Sequence, residues 1–137
     1  MSLLLDCAAD RPDFADALAA AGLPPCPPTA LCFRRYDACG FGAIEGDGPD
    51  RLLRSVIVVG PRGEGIGTAL VTALIAQARE LGAKRLWLLT TDTADFFARL
   101  GWIAVDRAAA PATIRGTDQF TTLCPASATL MVRELGQ

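Results

Sequence analysis

The chain has 137 residues, 51% of them hydrophobic, and a formal net charge of -2; this is enough apolar material for one domain, residues 1–137, with a packed core, and it excludes a disordered chain. Thirteen Lys and Arg scattered among fifteen acidic residues leave no basic face for a nucleic-acid backbone, and no apolar run reaches membrane-spanning length. Histidine is absent, which excludes Ser-His-Asp triads, Cys-His pairs and histidine bases. Any acid or base has to be Asp, Glu, Cys, Tyr, Lys, a backbone group or water.

In chain order, MSLLLDCAAD lacks the positive region of a signal peptide, and Leu3 to Leu5 open as a short strand. Asp10 and Pro12 mark a helix start, with Asp10 as cap and Phe14, Leu18 and Ala21 on one face until Gly22. The Pro-rich LPPCPP at 23–28 breaks the chain. Thr29 to Tyr36 and Cys39 to Glu45 then read as a hairpin about a short Asp37–Ala38 turn. After the polar GDGPD, LLRSVIVV at 52–59 reads as a buried central strand. Ile66, Leu70, Leu74, Ala78 and Leu81 recur at helical spacing up to Gly82. RLWLLT at 85–90 is a strand, TADFFARLG at 93–101 a short helix and WIAV at 102–105 another strand. A helix is expected around Ala112 to Phe120, and ATLMVREL supplies the last strand. This order predicts an α/β (α+β) mixed sheet with helices on its faces.

Between the central strand and the long helix lies GPRGEGIGTAL. A phosphate loop of the form GxxxxGK[ST] requires a lysine where Ile66 stands, and a dinucleotide fingerprint requires GxGxxG where Gly63, Gly65 and Gly67 run GxGxG. What remains is RxxGxG before a helix. Glycines let backbone N–H groups face a ligand, and the unpaired donors of a helix start favour an anion such as a pyrophosphate. Taken alone, the glycines also fit a tight strand-to-helix connection.

The context decides between these readings. SVIV at 55–58, then Arg62-Gly63-Glu64-Gly65-Ile66-Gly67, then DFFARLGW at 95–102 resemble the GCN5-related N-acetyltransferase (GNAT) superfamily, whose acetyl-CoA site is a strand, a Q/RxxGxG/A turn and a long helix. LLRSV, LLTTDTADFFARLGW and TDQFTTLCPASATLM are similar to its arsenic-resistance branch. The resemblance implies a mixed, mostly antiparallel sheet of six to seven strands, splayed at its centre, with helices on both faces. It further implies bacterial origin and direct acetyl transfer through a ternary complex. Acetyl-CoA would pair with the backbone of Ile57 and Val58, set its pyrophosphate on Arg62, Gly63, Glu64, Gly65, Ile66, Gly67 and Thr68, and meet Phe97. In many members a tyrosine acid occupies that last position; here it is phenylalanine, and Tyr36 is the only tyrosine.

Glu45 is the candidate base, because it ends the strand beside the central one, although it also fits a solvated residue opening the GDG turn. Arg54 interrupts an apolar run, either paired in the cleft or at an edge. An anionic acceptor would be clamped by Arg54, with Arg115 second. Cys124 is a candidate acid, substrate contact or arsenic ligand, and equally a small buried hydrophobe. Five cysteines (Cys7, Cys26, Cys32, Cys39 and Cys124) form no CxxC pair, which fits a reducing, cytoplasmic compartment without a metal site. A soft-metalloid trap from Cys26, Cys32 and Cys39 fits no standard spacing. The expectation is an acetyl-CoA-dependent N-acetyltransferase acting on a small, anionic amine, with no nucleic-acid or membrane partner and homodimerisation open. A non-catalytic CoA- or arsenical-binding module is the alternative.

Overall fold

The computed structural model describes residues 4–59, 65–117, 120 and 128–136. The hairpin forms as its turn residues dictate: the Asp37 carboxylate accepts the Cys39 N–H at 3.1 Å, and Ala38 sits at φ 60°, in the left-handed region where a tight reversal places it. It joins β2 (Leu31–Arg35) to β3 (Gly40–Glu45). With β1 (Leu4–Cys7), β4 (Asp50–Val58), β5 (Arg85–Thr90), β6 (Ile103–Val105) and β7 (Thr129–Glu134), these build one seven-stranded sheet in the order β1-β2-β3-β4-β5-β7-β6. Every neighbouring pair is antiparallel except β4 with β5, which is parallel.

Alternation along the strands sorts apolar side chains between the two faces. Leu53, Leu86, Leu88 and Met131 face the long helix α2 (Ile66–Glu80) and the short α3 (Ala94–Arg99). On the opposite face, Phe41 and Ala43 meet α1 (Pro12–Ala20), while Leu52, Trp87, Leu130 and Val132 meet α4 (Ala112–Arg115). Helices therefore cover both faces, as expected. Gly42 lets α2 approach closely, because a Cβ there would lie 2.5 Å from Leu74 Cδ1.

Three local expectations are corrected. Asp10 does not cap α1; Arg11 is the capping position, and Asp13 accepts from the Phe14 N–H at 2.9 Å and from Arg11 Nε at 2.6 Å. Pro at the first helical position sets this start, since its missing N–H is one the helix would leave unpaired anyway. Phe14 and Leu18 are buried, but Ala21 is exposed beyond the last helical turn. Of the helix expected from Ala112 to Phe120, the described residues give one α-helical turn, α4, preceded by a 3-10 turn at Arg107–Ala109, and a π-helical residue at Phe120. Gly116 ends α4, and the Thr117 hydroxyl donates to the Ile114 carbonyl at 2.7 Å.

Candidate functional site

The parallel pairing of β4 and β5 is short. Asp50, Arg51 and Leu52 pair with Arg85, Leu86 and Trp87, and beyond Leu52 the two strands have no paired residues. Asp50 holds the joined end: its carboxylate accepts from Arg85 Nε at 2.7 Å, from Arg85 Nη2 at 3.3 Å and from Trp87 Nε1 at 2.9 Å. These donors, with Arg85 foremost, hold the Asp50 carboxyl below its ordinary range. Past the joined end, β4 loses cover. Leu52 and Leu53 are buried, whereas Val58 is 38% exposed. The apolar run that predicts a fully buried strand thus opens on a cleft at its C-terminal end.

A bulge aims that open edge. The register between β3 and β4 shifts between Phe41 and Ala43, and Ser55 takes φ 58°, the extra residue bending the strand. Below the bulge, Phe41 pairs with Ile57 and Gly40 with Val58, and the Val59 N–H donates to the Cys39 carbonyl at 2.8 Å. Because backbone groups alternate along a strand, Ile57 and Val59 turn theirs towards β3 and Val58 turns its N–H to the open edge. Of the two expected backbone positions, only Val58 faces the cleft.

The start of α2 lies beside this edge. Gly65 caps it in the left-handed region at φ 74°, with no side-chain cap, and the first intrahelical bond runs from the Ala69 N–H to the Gly65 carbonyl at 3.0 Å. The N–H groups of Ile66, Gly67 and Thr68 therefore precede the helical ladder and have no partner within it. No acidic residue occupies the first turn, so the positive end of the helix is uncompensated there. A Cβ on Gly67 would meet the Phe96 ring at 3.4 Å and Val58 Cγ2 at 3.7 Å. Cleft edge, helix start and α3 thus converge around Gly67. Arg62, Gly63, Glu64 and Cys124 lie outside the described residues.

Phe97 stands elsewhere than expected. It is buried in the α2 face of the core, edge-on to Trp102 at 5.6 Å between ring centroids. Phe96, half-buried, is the aromatic residue that reaches Gly67 and Val58. Helical spacing gives part of this, since Phe97 shares a face with Ala94 and Leu100; Phe96, about 100° round the helix, packs on the edge of the same core with its ring against that of Phe97 at 5.1 Å.

On the opposite face of β4, Arg54 and Glu45 meet: Arg54 Nη1 donates to Glu45 Oε1 at 2.7 Å. Strand register brings them together, because Ala43 pairs with Arg54 and Glu45 with Leu52, leaving the two as diagonal neighbours. The Arg54 side chain is 1% exposed, yet its Nε and Nη2 have no hydrogen-bond partner among the described residues. Burying a cation with two vacant donors is costly. Glu45 borders a recess of about 390 Å³ with Thr29, Gly46 and Asp47. Arg115 is exposed at the end of α4, and Tyr36 is 56% exposed beside the hairpin turn.

Two members of the imagined cysteine trap do meet. Cys26 and Cys32 place their sulfurs 2.9 Å apart, while Cys39 lies at the hairpin turn with its thiol donating to the Asp37 carbonyl. Among the described residues no group of three His, Cys, Asp or Glu could hold a metal ion, and no helix is long and apolar enough to cross a membrane.

The sequence matches the family described as acetyltransferase (GNAT) over residues 12–102. No curated protein matches the chain. Among solved structures, N-acetylglutamate synthase of Neisseria gonorrhoeae, complexed with coenzyme A and N-acetyl-glutamate, has a TM-score of 0.76 at 20% identity, over 100% of this chain and 36% of that one. Rv2747 of Mycobacterium tuberculosis, in complex with CoA, has a TM-score of 0.72 at 21% identity, covering 95% and 98%. An aminoglycoside 6'-N-acetyltransferase complexed with coenzyme A has a TM-score of 0.70 at 14% identity, covering 98% and 97%. The chain spans about a third of the synthase and nearly all of the other two. What is shared at these identities is the fold. The matched stretch runs from the first residue of α1 to Trp102, taking in the splayed strand, the glycine turn and α3, and the chain belongs to the acetyltransferase (GNAT) family.

Proposed function

We propose that the protein is an N-acetyltransferase that uses acetyl-CoA and acts on a small amine carrying an anionic group. The observation that carries the donor half is the convergence of the open β4 edge, the unpaired donors of α2 and Phe96 around Gly67. These residues fit an extended thioester cofactor. The N–H groups of Ile66, Gly67 and Thr68 hold the pyrophosphate, with Arg62, Gly63, Glu64 and Gly65 completing the turn. The Val58 edge pairs with the pantetheine, and Phe96 packs beside it. Acetyl-CoA supplies the activated acetyl group. The Val58 N–H is aimed where negative charge would develop on a carbonyl oxygen, which is the kind of interaction that lowers a barrier.

The acceptor half rests on the Arg54–Glu45 pair. The vacant Nε and Nη2 of Arg54 form one edge of a guanidinium fork, suited to a carboxylate or a similar oxyanion. Glu45, held by the other side of the same fork, takes up the ammonium proton through a chain of waters, since it pairs with Leu52, six residues along β4 from Val58, and the amine attacks as the neutral species. Direct transfer through a ternary complex requires the two to meet in the gap between β4 and β5, the donor entering from the α2 side and the acceptor from the Arg54 side. Phe97 supplies no proton; a thiolate of ordinary pKa near 8.5 departs without one close to neutrality, or Cys124 protonates it. Arg115 serves as an outer clamp. An amino-arsenical is one acceptor of this class, supported by the likeness of residues 117–131 alone. The expected setting is a bacterial cytoplasm.

Titration calorimetry with acetyl-CoA, comparing wild type with Gly65→Glu, tests the donor half. Equal binding by the two proteins, or none by wild type, removes it. Thiol release across amino acids, amino-phosphonates and amino-arsenicals tests transfer. CoA binding without any thiol release would leave the non-catalytic module that Phe97, lacking a phenol, also permits.

A further inference from the structure

We propose that Cys26 and Cys32 form a reversible disulfide, making this pair a redox modification site that a hydroperoxide reaches through the cavity beside it. The sulfurs lie 2.9 Å apart, and both residues are buried, each 6% exposed. A disulfide bond of about 2.05 Å requires them to approach by less than about 1 Å. The local chain favours that approach. Cys26 stands between Pro25 and Pro27 in a stretch without regular structure, whose backbone is restricted by proline on either side. Cys32 is fixed in β2 by pairing with both β1 and β3. One sulfur is thus anchored in the sheet and the other is kept beside it by a segment whose prolines limit its excursions, so the pair stays within reach of bond formation. A cavity of about 860 Å³ is lined by Cys7, Cys26 and Cys32, giving a small oxidant room to reach both thiols.

The two thiols are chemically unequal. The hydrogen bond from Cys32 holds Cys26 below the ordinary thiol range, and the Arg54 guanidinium adds to this against the opposing effect of burial. The same contact, with burial, pushes Cys32 up, so it keeps its proton. In the proposal Cys26, on the segment beside the Arg54 guanidinium, attacks first, and Cys32, held in β2, resolves. With hydrogen peroxide, the Cys26 sulfur attacks one oxygen, the O–O bond breaks, and a sulfenic acid and hydroxide result; the hydroxide takes up a proton as water. Cys32 sulfur then displaces the sulfenic hydroxyl, and the Cys32 proton leaves with it as a second water. In balance, two thiols lose two electrons and two protons, and one peroxide becomes two waters. Cys7 pairs in register with Cys32 and walls the same cavity, but burial raises its pKa, which makes it the poorer nucleophile.

The test uses the folded wild-type protein, first reduced, then exposed to hydrogen peroxide, quenched in acid, unfolded and alkylated. Expected is the loss of two of the five thiols, recovery of a non-reduced peptide joining Cys26 to Cys32, and full return of both thiols on treatment with dithiothreitol. In Cys32→Ser, dimedone should trap a sulfenic acid at Cys26. Five thiols still alkylatable after peroxide, a bond from Cys7 or Cys39 instead, or a dimedone adduct only at another cysteine would each overturn the proposal. The wild-type peptide map decides the matter even if the variant does not fold.

Discussion

Arg54 shows how much one side chain decides. Its guanidinium is buried with one nitrogen on Glu45 and, among the described residues, no partner for the other two, which makes it the side chain on which the proposed anion clamp stands or falls. Arg54→Lys keeps the charge and loses the fork. The expected result is a rise of about 10- to 100-fold in acceptor KM, matching the loss of one or two hydrogen bonds to a charged group. Acetyl-CoA affinity, read by calorimetry on the same variant, should stay unchanged. Gly65 is the second decisive residue. A Cβ there meets no other described residue within 4 Å, yet φ is 74°, so Gly65→Ala is expected to destabilise by about 1–2 kcal/mol through the left-handed conformation. Urea unfolding measures that figure directly, and a stability equal to wild type would show that the turn relaxes.

At the scale of elements, the cleft exists because β4 and β5 part after Leu52 and Trp87, although β5 continues to Thr90 and β4 to Val58. Val58 turns its N–H to the open edge, so this group belongs to no ladder. Val58→Pro removes the donor without breaking a sheet hydrogen bond. We expect a fall of about 100- to 1000-fold in kcat, the range for losing one preorganised donor, with thermal stability near that of wild type. A large loss of stability would mean that the N–H is used within the fold instead. The bulge at Ser55 and the start of α2 matter for the same reason: at each, regular pairing is interrupted and backbone donors turn towards the cleft.

For the whole molecule, the join between β4 and β5 sets the closed end of the cleft. Asp50 ties the strands through Arg85 and Trp87, and its folded pKa is depressed. A depressed carboxylate stabilises above its unfolded pKa of about 3.9, and that contribution disappears as pH falls through the lower folded value. Asp50→Asn should therefore unfold more easily at pH 7, by about 1–2 kcal/mol, because water screens the half-exposed Arg85 while the Trp87 bond is better shielded. The gap from wild type should close below about pH 4. Denaturation followed across that range checks both sign and window. A gap that persists in acid would assign the effect to packing.

Most of the strands and the long helix were legible from periodicity, since burial on a sheet face or along a helix stripe leaves a repeat of two or 3.6 in the chain. RLWLLT predicts β5 at its observed limits, Arg85–Thr90. Removal of histidine chemistry, and the narrowing of the glycine turn to one family, likewise needed only residue types and their order. Pairwise meetings did not. Arg54 with Glu45 depends on a diagonal across two strands, Phe96 rather than Phe97 at Gly67 depends on how α3 is rotated, and Cys26 against Cys32 depends on a Pro-rich segment without period. Where the strand run is apolar, composition predicts burial, and only the divergence of β4 from β5 reveals that its end is open. Periodicity records which face a residue buries; which residue waits on the other side is a property of register and strand splay, and those are set by the whole sheet.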